Sequence, residues 1–401
     1  MIPRRKNTFY DGEFSDILNS IFSKNFLKKN HVREFEESFA NYIGTKHAIA
    51  VSAGRVGMKL LLEALNLKRG DEIMFPAYTL KDLIFIVQNM GLKPVLVDIE
   101  KNSFNINPDL IEEKITSKTK AIIATHIFGL PCNIEKVIKI ADKHNIYVIE
   151  DCCHAHGAEF KSKKVGCFGI GGFFSFNQIK LISTFEGGMI TTNDDRISKF
   201  VREKVKKFPI SENEILKRIL LGYLENFILE TPLFCVFSNL FFLKSTRELF
   251  NKFYISYHQR IRTKYSKYTN LQAFLGLKQL EVLDEKIKMR IKKVKLLKSL
   301  LNKKIKLQEE RGNYKHVYFY FIVRSNKDSR IIQRKLWKKG LDVGIKEEIT
   351  DDCTKILNEF HDECPVTHEI FNTAIQIPIH ENFTEENIHR IADILNGVLN
   401  D

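Results

Sequence analysis

Between Arg33 and Asn193, apolar runs of strand length alternate with amphipathic helical stretches, and this alternation restricts the fold more than any other feature of the chain. Strand patterns fall at 47–52, 72–75, 94–97, 121–125, 147–150, 172–176 and 189–192. Helical patterns lie between them, such as 58–65, entered through Gly54, and 134–144, where Val137, Ile138 and Ala141 recur at helical spacing. Strand and helix in turn predict an α/β domain with a mostly parallel, seven-stranded sheet covered by helices on both faces. At 401 residues the chain exceeds what one core readily serves, so a smaller domain and an inserted element are expected beside it.

The divisions are expected at 1–32 (an N-terminal segment), 33–210 (the large domain), 211–260 (an apolar helical insertion) and 261–401 (a small C-terminal α+β domain). In the last region, 270–301 reads as one long helix, 318–323 as a strand, 329–338 as a helix, 374–379 as a strand and 385–399 as a terminal helix. The insertion carries RILLGYLENFIL before Pro232 and LFCVFSNLFFL after it, flanked by Lys217, Arg218, Lys244 and Arg247. Neither half reaches the roughly 20 apolar residues a spanning helix needs. Two readings stand: a helical hairpin buried against the body or a partner subunit, or a hairpin over 219–243 lying peripherally on a membrane surface with its basic flanks on lipid head groups.

The charge is +14, from 63 Lys and Arg against 49 Asp and Glu, which raises nucleic acid as a partner. The basic residues are spread through the chain, and the cluster Lys286, Lys288, Arg290, Lys292 and Lys293 reads as a solvated helix face. With neither zinc-finger spacing nor an RNA-binding aromatic signature, no nucleic acid and no metal are expected. Seven cysteines without a regular framework, and a charged N-terminus with no apolar stretch behind it, predict reduced thiols, no secretory signal and a cytoplasmic protein.

Three segments carry chemistry. In FFSFNQIKLISTFEGG a strand delivers Ser175 and the loop after it Lys180; a lysine desolvated at a sheet edge loses its proton readily and suits Schiff-base chemistry. In VIEDCCHAHG an apolar strand ends in Glu150 and Asp151, where ligands of open α/β sheets sit. An acid there either holds a heterocyclic nitrogen protonated or caps a turn. In VSAGRVGMKLLLEAL a strand passes through Gly54 and Arg55 into a helix whose free N–H groups form an anion site, although the spaced glycines of a dinucleotide loop are missing.

Taken in this order, a phosphate cradle, a strand-end acid and a serine five residues before a lysine resemble the fold type I pyridoxal phosphate enzymes, and within them the DegT/StrS-type sugar aminotransferase family. FEESFANYIGTKHAIAVSAG, GDEIMFPAYT, KTKAIIATHIFGLPCNI and QAFLGLKQLEVLDEKI carry the same resemblance, over about 30–205 and 262–400. It implies a homodimer that moves an amino group from glutamate to a nucleotide-linked keto-sugar by a ping-pong reaction, in biosynthesis of a surface polysaccharide or other glycoconjugate. Lys180 would bind the cofactor covalently and shuttle the proton, Asp151 would pair with the pyridine nitrogen, and Ser175, Gly54 and Arg55 would hold the phosphate. His154 would contact the cofactor beside its ring.

The sequence departs from the family pattern at Arg55 in place of Thr, Leu80 in place of a stacking aromatic, Leu181 in place of the Asn after the lysine, and Tyr265 where a partner-subunit Asn often reaches the phosphate. Two alternatives follow. One is a sugar dehydratase on the same scaffold, against which Lys180 argues because that branch replaces the lysine by His. The other is a non-catalytic membrane-associated binding or regulatory protein in which the insertion is the working part.

Overall fold

The computed structural model describes residues 1–4, 9–22, 30–231 and 265–399. The apolar half of the insertion after Pro232 lies outside the described residues.

The main sheet is built from β1 (His47–Val51), β2 (Glu72–Pro76), β4 (Lys93–Val97), β5 (Thr119–Thr125), β6 (Tyr147–Asp151), β9 (Gly171–Ser175) and β10 (Gly188–Thr192), in the order β1-β10-β9-β6-β5-β2-β4. Only β10 runs against the others. The central strands read as unbroken apolar runs because both faces are covered. On one side α3 (Gly54–Ala64), α4 (Lys81–Asn89) and α6 (Asp195–Lys206) bury Leu60, Ile84 and Val201 against Ile49, Ile123 and Phe173. On the other, α2 (His31–Ile43), α5 (Ile134–Lys143) and α8 (Asn270–Glu281) bring Phe35, Phe39, Val137 and Ala273 against strand residues of opposite parity, among them Ala48, Phe174 and Ile122. Helices α1 (Glu13–Phe22) and α7 (Glu212–Glu230) flank α8.

A second sheet, antiparallel throughout, has the order β11 (Lys306–Leu307), β13 (Phe321–Arg324), β16 (Ala374–Ile377), β14 (Gly344–Ile345). Helices α9 (Leu283–Leu300), α10 (Ser329–Lys338) and α12 (Glu385–Leu399) cover it through Val294, Leu336 and Ile391, and α11 (Pro365–Thr373) precedes β16. Two short ladders stitch this part to the first: β12 (Tyr314–Lys315) to β7 (Glu159–Phe160), which also pairs with β8 (Lys163–Lys164), and β15 (Asp351–Asp352) to β3 (Tyr78–Thr79).

Three expectations are corrected. The single helix over 270–301 is two, broken at Val282, whose ψ of 1° departs from the helical ladder. The strand expected from Tyr318 begins at Phe321, because Tyr318 has a left-handed φ of 50° and turns its N–H back onto Nδ1 of His316. The basic cluster on α9 is not a uniformly solvated face: Lys286 and Arg290 are 8% and 4% exposed, and Arg290 is ion-paired to buried Glu381 at 2.8 Å.

Candidate active site

β6 presents two acids in succession, and the alternation of a strand sends them to opposite sides. Glu150 is fully buried and accepts N–H hydrogen bonds from Gly166, Phe168 and Gly169 at 2.8, 2.7 and 3.0 Å. His126 Nε2 lies 3.1 Å from its carboxylate, while His126 Nδ1 accepts the Cys132 N–H, which places the ring proton on Nε2 toward Glu150. His126, Glu150 and Cys152 lie close enough to hold an ion among themselves. The Glu150 oxygens are already taken up by those N–H donors, so the cluster works as an anchor for the strand end.

Asp151 faces a cavity instead. Its Oδ1 accepts the Cys153 N–H at 3.0 Å, and its backbone oxygen accepts the N–H of His126. Burial pushes the Asp151 carboxyl up from its ordinary value, opposed by the Cys153 N–H and by the charge of Lys180. A buried acid of this kind gains from a cationic partner.

β9 ends at Ser175, and the loop 176–187 closes on itself through Phe176 N–H to Gly187 oxygen at 2.8 Å and Thr184 N–H to Phe176 oxygen at 3.0 Å. Lys180 sits in this loop, 9% exposed, with its ammonium 4.5 Å from the centroid of the Phe319 ring. The His154 ring stacks on Phe319 (4.4 Å, 19°) and lies nearly parallel to Phe128 (6.1 Å, 15°). Burial, with the positive charge of Lys180, holds His154 well below the usual histidine range, so the ring is neutral.

The start of α3 approaches the end of β9 closely: a Cβ at position 54 would stand 2.8 Å from Cys153 Sγ and 3.1 Å from the Phe174 oxygen. A Cβ at Gly188 would stand 2.4 Å from the same oxygen and 2.7 Å from the Gly54 nitrogen. No side chain caps this helix start. Arg55 points a guanidinium nitrogen at Asp82, 2.5 Å away at the start of α4.

Gly54, Arg55, Asp151, His154, Ser175 and Lys180, the six residues singled out from sequence, all line one cavity of about 280 Å³ at the carboxyl ends of the strands. Leu80, 47% exposed, stands on the same wall. Leu181 instead enters the core. Tyr265 packs within its own chain against Phe208, and its hydroxyl accepts a hydrogen bond from Lys59 Nζ at 2.5 Å, away from the cavity. Sequence reasoning missed Thr125, which lines the cavity with a buried hydroxyl that has no hydrogen-bond partner among the described residues. It is the last residue of the strand beside β6, a position that becomes a signal only once the strand order is known.

Over 404 residues, 99% of each chain, the sequence is 29% identical to dTDP-3-amino-3,6-dideoxy-alpha-D-galactopyranose transaminase of Aneurinibacillus thermoaerophilus. It is 42% identical over 169 residues to GDP-perosamine synthase of Caulobacter vibrioides, a match covering 42% of this chain and 46% of that one. An uncharacterized protein of Methanocaldococcus jannaschii matches at 42% over 205 residues, 51% of this chain and 52% of that one, so these last two matches span about half the relatives' length. Among solved structures, an aminotransferase from Psychrobacter cryohalolentis shares the fold with a TM-score of 0.77 at 24% identity, covering 98% of both chains. An Escherichia coli GDP-4-keto-6-deoxy-D-mannose-3-dehydratase with bound hydrated PLP superposes at 0.75 and 24% identity, over 98% of this chain and 99% of that one. The family model for DegT/DnrJ/EryC1/StrS aminotransferases matches residues 10–396, and the chain belongs to that family.

Proposed function

We propose that this protein is a pyridoxal phosphate-dependent aminotransferase that takes the amino group of glutamate and delivers it to a keto-sugar carried on a nucleotide diphosphate, for a surface polysaccharide or other glycoconjugate. The observation that carries the reading is the convergence of Asp151, Lys180, Ser175 and the uncapped start of α3 on one cavity.

Pyridoxal phosphate is the family's cofactor, and the residues present fit it. The glycine cradle at Gly54, with the uncapped N–H groups of α3, suits a phosphate, and the orphaned Thr125 hydroxyl supplies a donor beside Asp151. When bound, the cofactor supplies an electron sink for breaking the bond to hydrogen at the amino-bearing carbon. Ser175 and Arg55 would hold its phosphate, Asp151 would keep its ring nitrogen protonated, and neutral His154 would contact the cofactor beside its ring. Lys180 would carry the proton from the donor carbon and return it to the acceptor.

The domain divisions at 33–210, 211–260 and 261–401, the cytoplasmic location and the homodimer belong to the same reading. So does peripheral membrane contact over 219–243: Leu220, Leu224 and Phe227 are exposed on one side of α7. No helix among the described residues is long and apolar enough to cross a membrane. The dehydratase reading is disfavoured because Lys180 is kept.

The test is direct. Purified protein should be yellow with added cofactor, glutamate should convert that colour to the pyridoxamine form, and a panel of nucleotide-linked keto-sugars should restore it for the true acceptor. A colourless protein indifferent to cofactor would sink the reading. Lys180→Ala should remove the covalent attachment and leave the fold intact.

A further inference from the structure

The loop 176–187 carries Lys180, and helix α8 holds its return arm by the backbone. Gln279 of α8 is fully buried, and its amide meets Ser183 as another peptide group would: Oε1 accepts the Ser183 N–H at 2.7 Å and Nε2 donates to the Ser183 oxygen at 2.8 Å. Seven residues earlier, and so on the same face of the helix, Gln272 Nε2 donates to the backbone oxygen of Glu186 at 2.8 Å. Leu275 stands between the two glutamines and packs in one cluster with Phe185.

These two grips flank a strained residue. Phe185 has a left-handed φ of 64°, which a bulky side chain keeps only when its surroundings enforce it, here Ile17 of α1, Ile215 and Ile219 of α7 and Leu275. Lys180 itself is tied on both sides. Its own N–H bonds to the Asn177 oxygen at 2.9 Å, and three residues later Ser183 is fixed by Gln279, with Leu181 and Ile182 of the span between them in the core. The Gln279 amide is braced in turn: one Nε2 hydrogen goes to Ser183 and the other to Glu13 Oε2 of α1 at 3.0 Å. Glu13 is 2% exposed, and its Oε1 accepts the Tyr223 hydroxyl of α7 at 3.2 Å. A turned amide would set donor against donor and oxygen against oxygen at Ser183, so the arrangement has one orientation.

We propose that Gln279 is a positioning residue for Lys180: its amide clamps the lysine loop at Ser183, Gln272 grips the same arm at Glu186, and Glu13 braces the clamp from the N-terminal helix α1. This rests on the reading of Lys180 as the cofactor-bearing lysine. The clamp touches neither cofactor nor substrate, and acts by holding the backbone from which the lysine reaches the cavity.

The experiment uses the full-length protein loaded with pyridoxal phosphate. Gln279→Leu keeps much of the volume and takes the amide away from Ser183. Hydrogen exchange of the backbone amides over 178–185 should then speed up by about tenfold or more. The pH midpoint of the bound cofactor's visible band should move by about half a unit, because the lysine amine is held less firmly. The glutamate half-reaction should slow by about tenfold, with the half-saturating glutamate concentration within about twofold of the parent. Glu13→Leu should slow it by about fivefold, whereas Glu13→Gln, which keeps an oxygen for Gln279 Nε2, should stay within about twofold. Adding Glu13→Leu to Gln279→Leu should cost nothing further, since Glu13 acts through the clamp. Loop exchange at the parent rate in Gln279→Leu would overturn the proposal. So would faster exchange with midpoint and half-reaction unmoved, or a double variant whose losses multiply. Should Gln279→Leu not fold, the Glu13 pair decides: loop exchange faster in Glu13→Leu than in Glu13→Gln supports the clamp, and equal exchange refutes it. Borohydride reduction followed by peptide mapping separates the two levels. A label that falls on a lysine other than Lys180 removes the assignment of the cofactor lysine, and the positioning role with it, whereas a label on Lys180 leaves exchange, midpoint and rate to judge the clamp alone.

Discussion

Thr125 and Asp151 are register partners on the parallel strands β5 and β6 and line the same cavity, yet Asp151 has a hydrogen-bond partner there and the Thr125 hydroxyl has none among the described residues. An unpartnered buried hydroxyl costs the folded protein about 1–3 kcal/mol. Thr125→Val keeps the volume and removes the hydroxyl. The variant should therefore be more stable without cofactor by about 1 kcal/mol, and bind pyridoxal phosphate about fivefold more weakly. Denaturant melts of the cofactor-free protein and a cofactor titration read the two quantities separately. Binding at the parent strength or tighter would show that the hydroxyl is not a ligand group.

Asp151 should be indispensable in a different way. Its carboxyl is pushed up by burial, and the Cys153 N–H alone does not satisfy it. A protonated ring nitrogen would. Asp151→Asn keeps the shape and loses the charge, so cofactor should still bind while the glutamate half-reaction, followed by the change in visible absorption, slows by about 100-fold or more. A half-reaction at the parent rate would show that the ring nitrogen is held by another group.

The large sheet was legible because its signal is local: each strand is a short apolar run, each helix an amphipathic one, and Ser175 and Asp151 stand at strand ends where ligands of such sheets bind, with Lys180 in the loop that follows Ser175. What escaped depended on distant segments. Thr125 looks like any threonine until β6 is set beside it. The left-handed turns at Tyr318 and Phe185 are imposed by packing from α9 and α7, which no window around those residues contains. The basic cluster on α9 was misread for the same reason, since Glu381, the partner of Arg290, is 91 residues away.

That misreading yields a contrast between neighbours on α9. Arg290 donates to the carbonyl oxygens of Tyr318, Phe319 and Ile379 and pairs with Glu381, all within the core, whereas Lys288 is exposed. Arg290→Met would strand a buried carboxylate and three carbonyls, and should destabilise the protein by about 3–5 kcal/mol. Lys288→Ala should stay within about 0.5 kcal/mol. Chemical denaturation of the two variants measures both, and equal small effects would return the whole cluster to the solvated face read from sequence.

Glu13 predicts how stability responds to pH. It is 2% exposed, accepts hydrogen bonds from Gln279 Nε2 at 3.0 Å and the Tyr223 hydroxyl at 3.2 Å, and burial pushes its carboxyl up from 4.5 to about 7. An acid whose folded value is raised stabilises the fold fully below its ordinary value, and that contribution is lost as pH rises through the folded one. A rise of this size corresponds to about 3 kcal/mol, lost between pH 4.5 and pH 7. The parent protein should thus lose stability from pH 5 to pH 8 relative to Glu13→Gln, which carries no ionisable group at that site. Urea melts of both proteins at the two pH values give the comparison; parallel pH responses would mean that another group controls it.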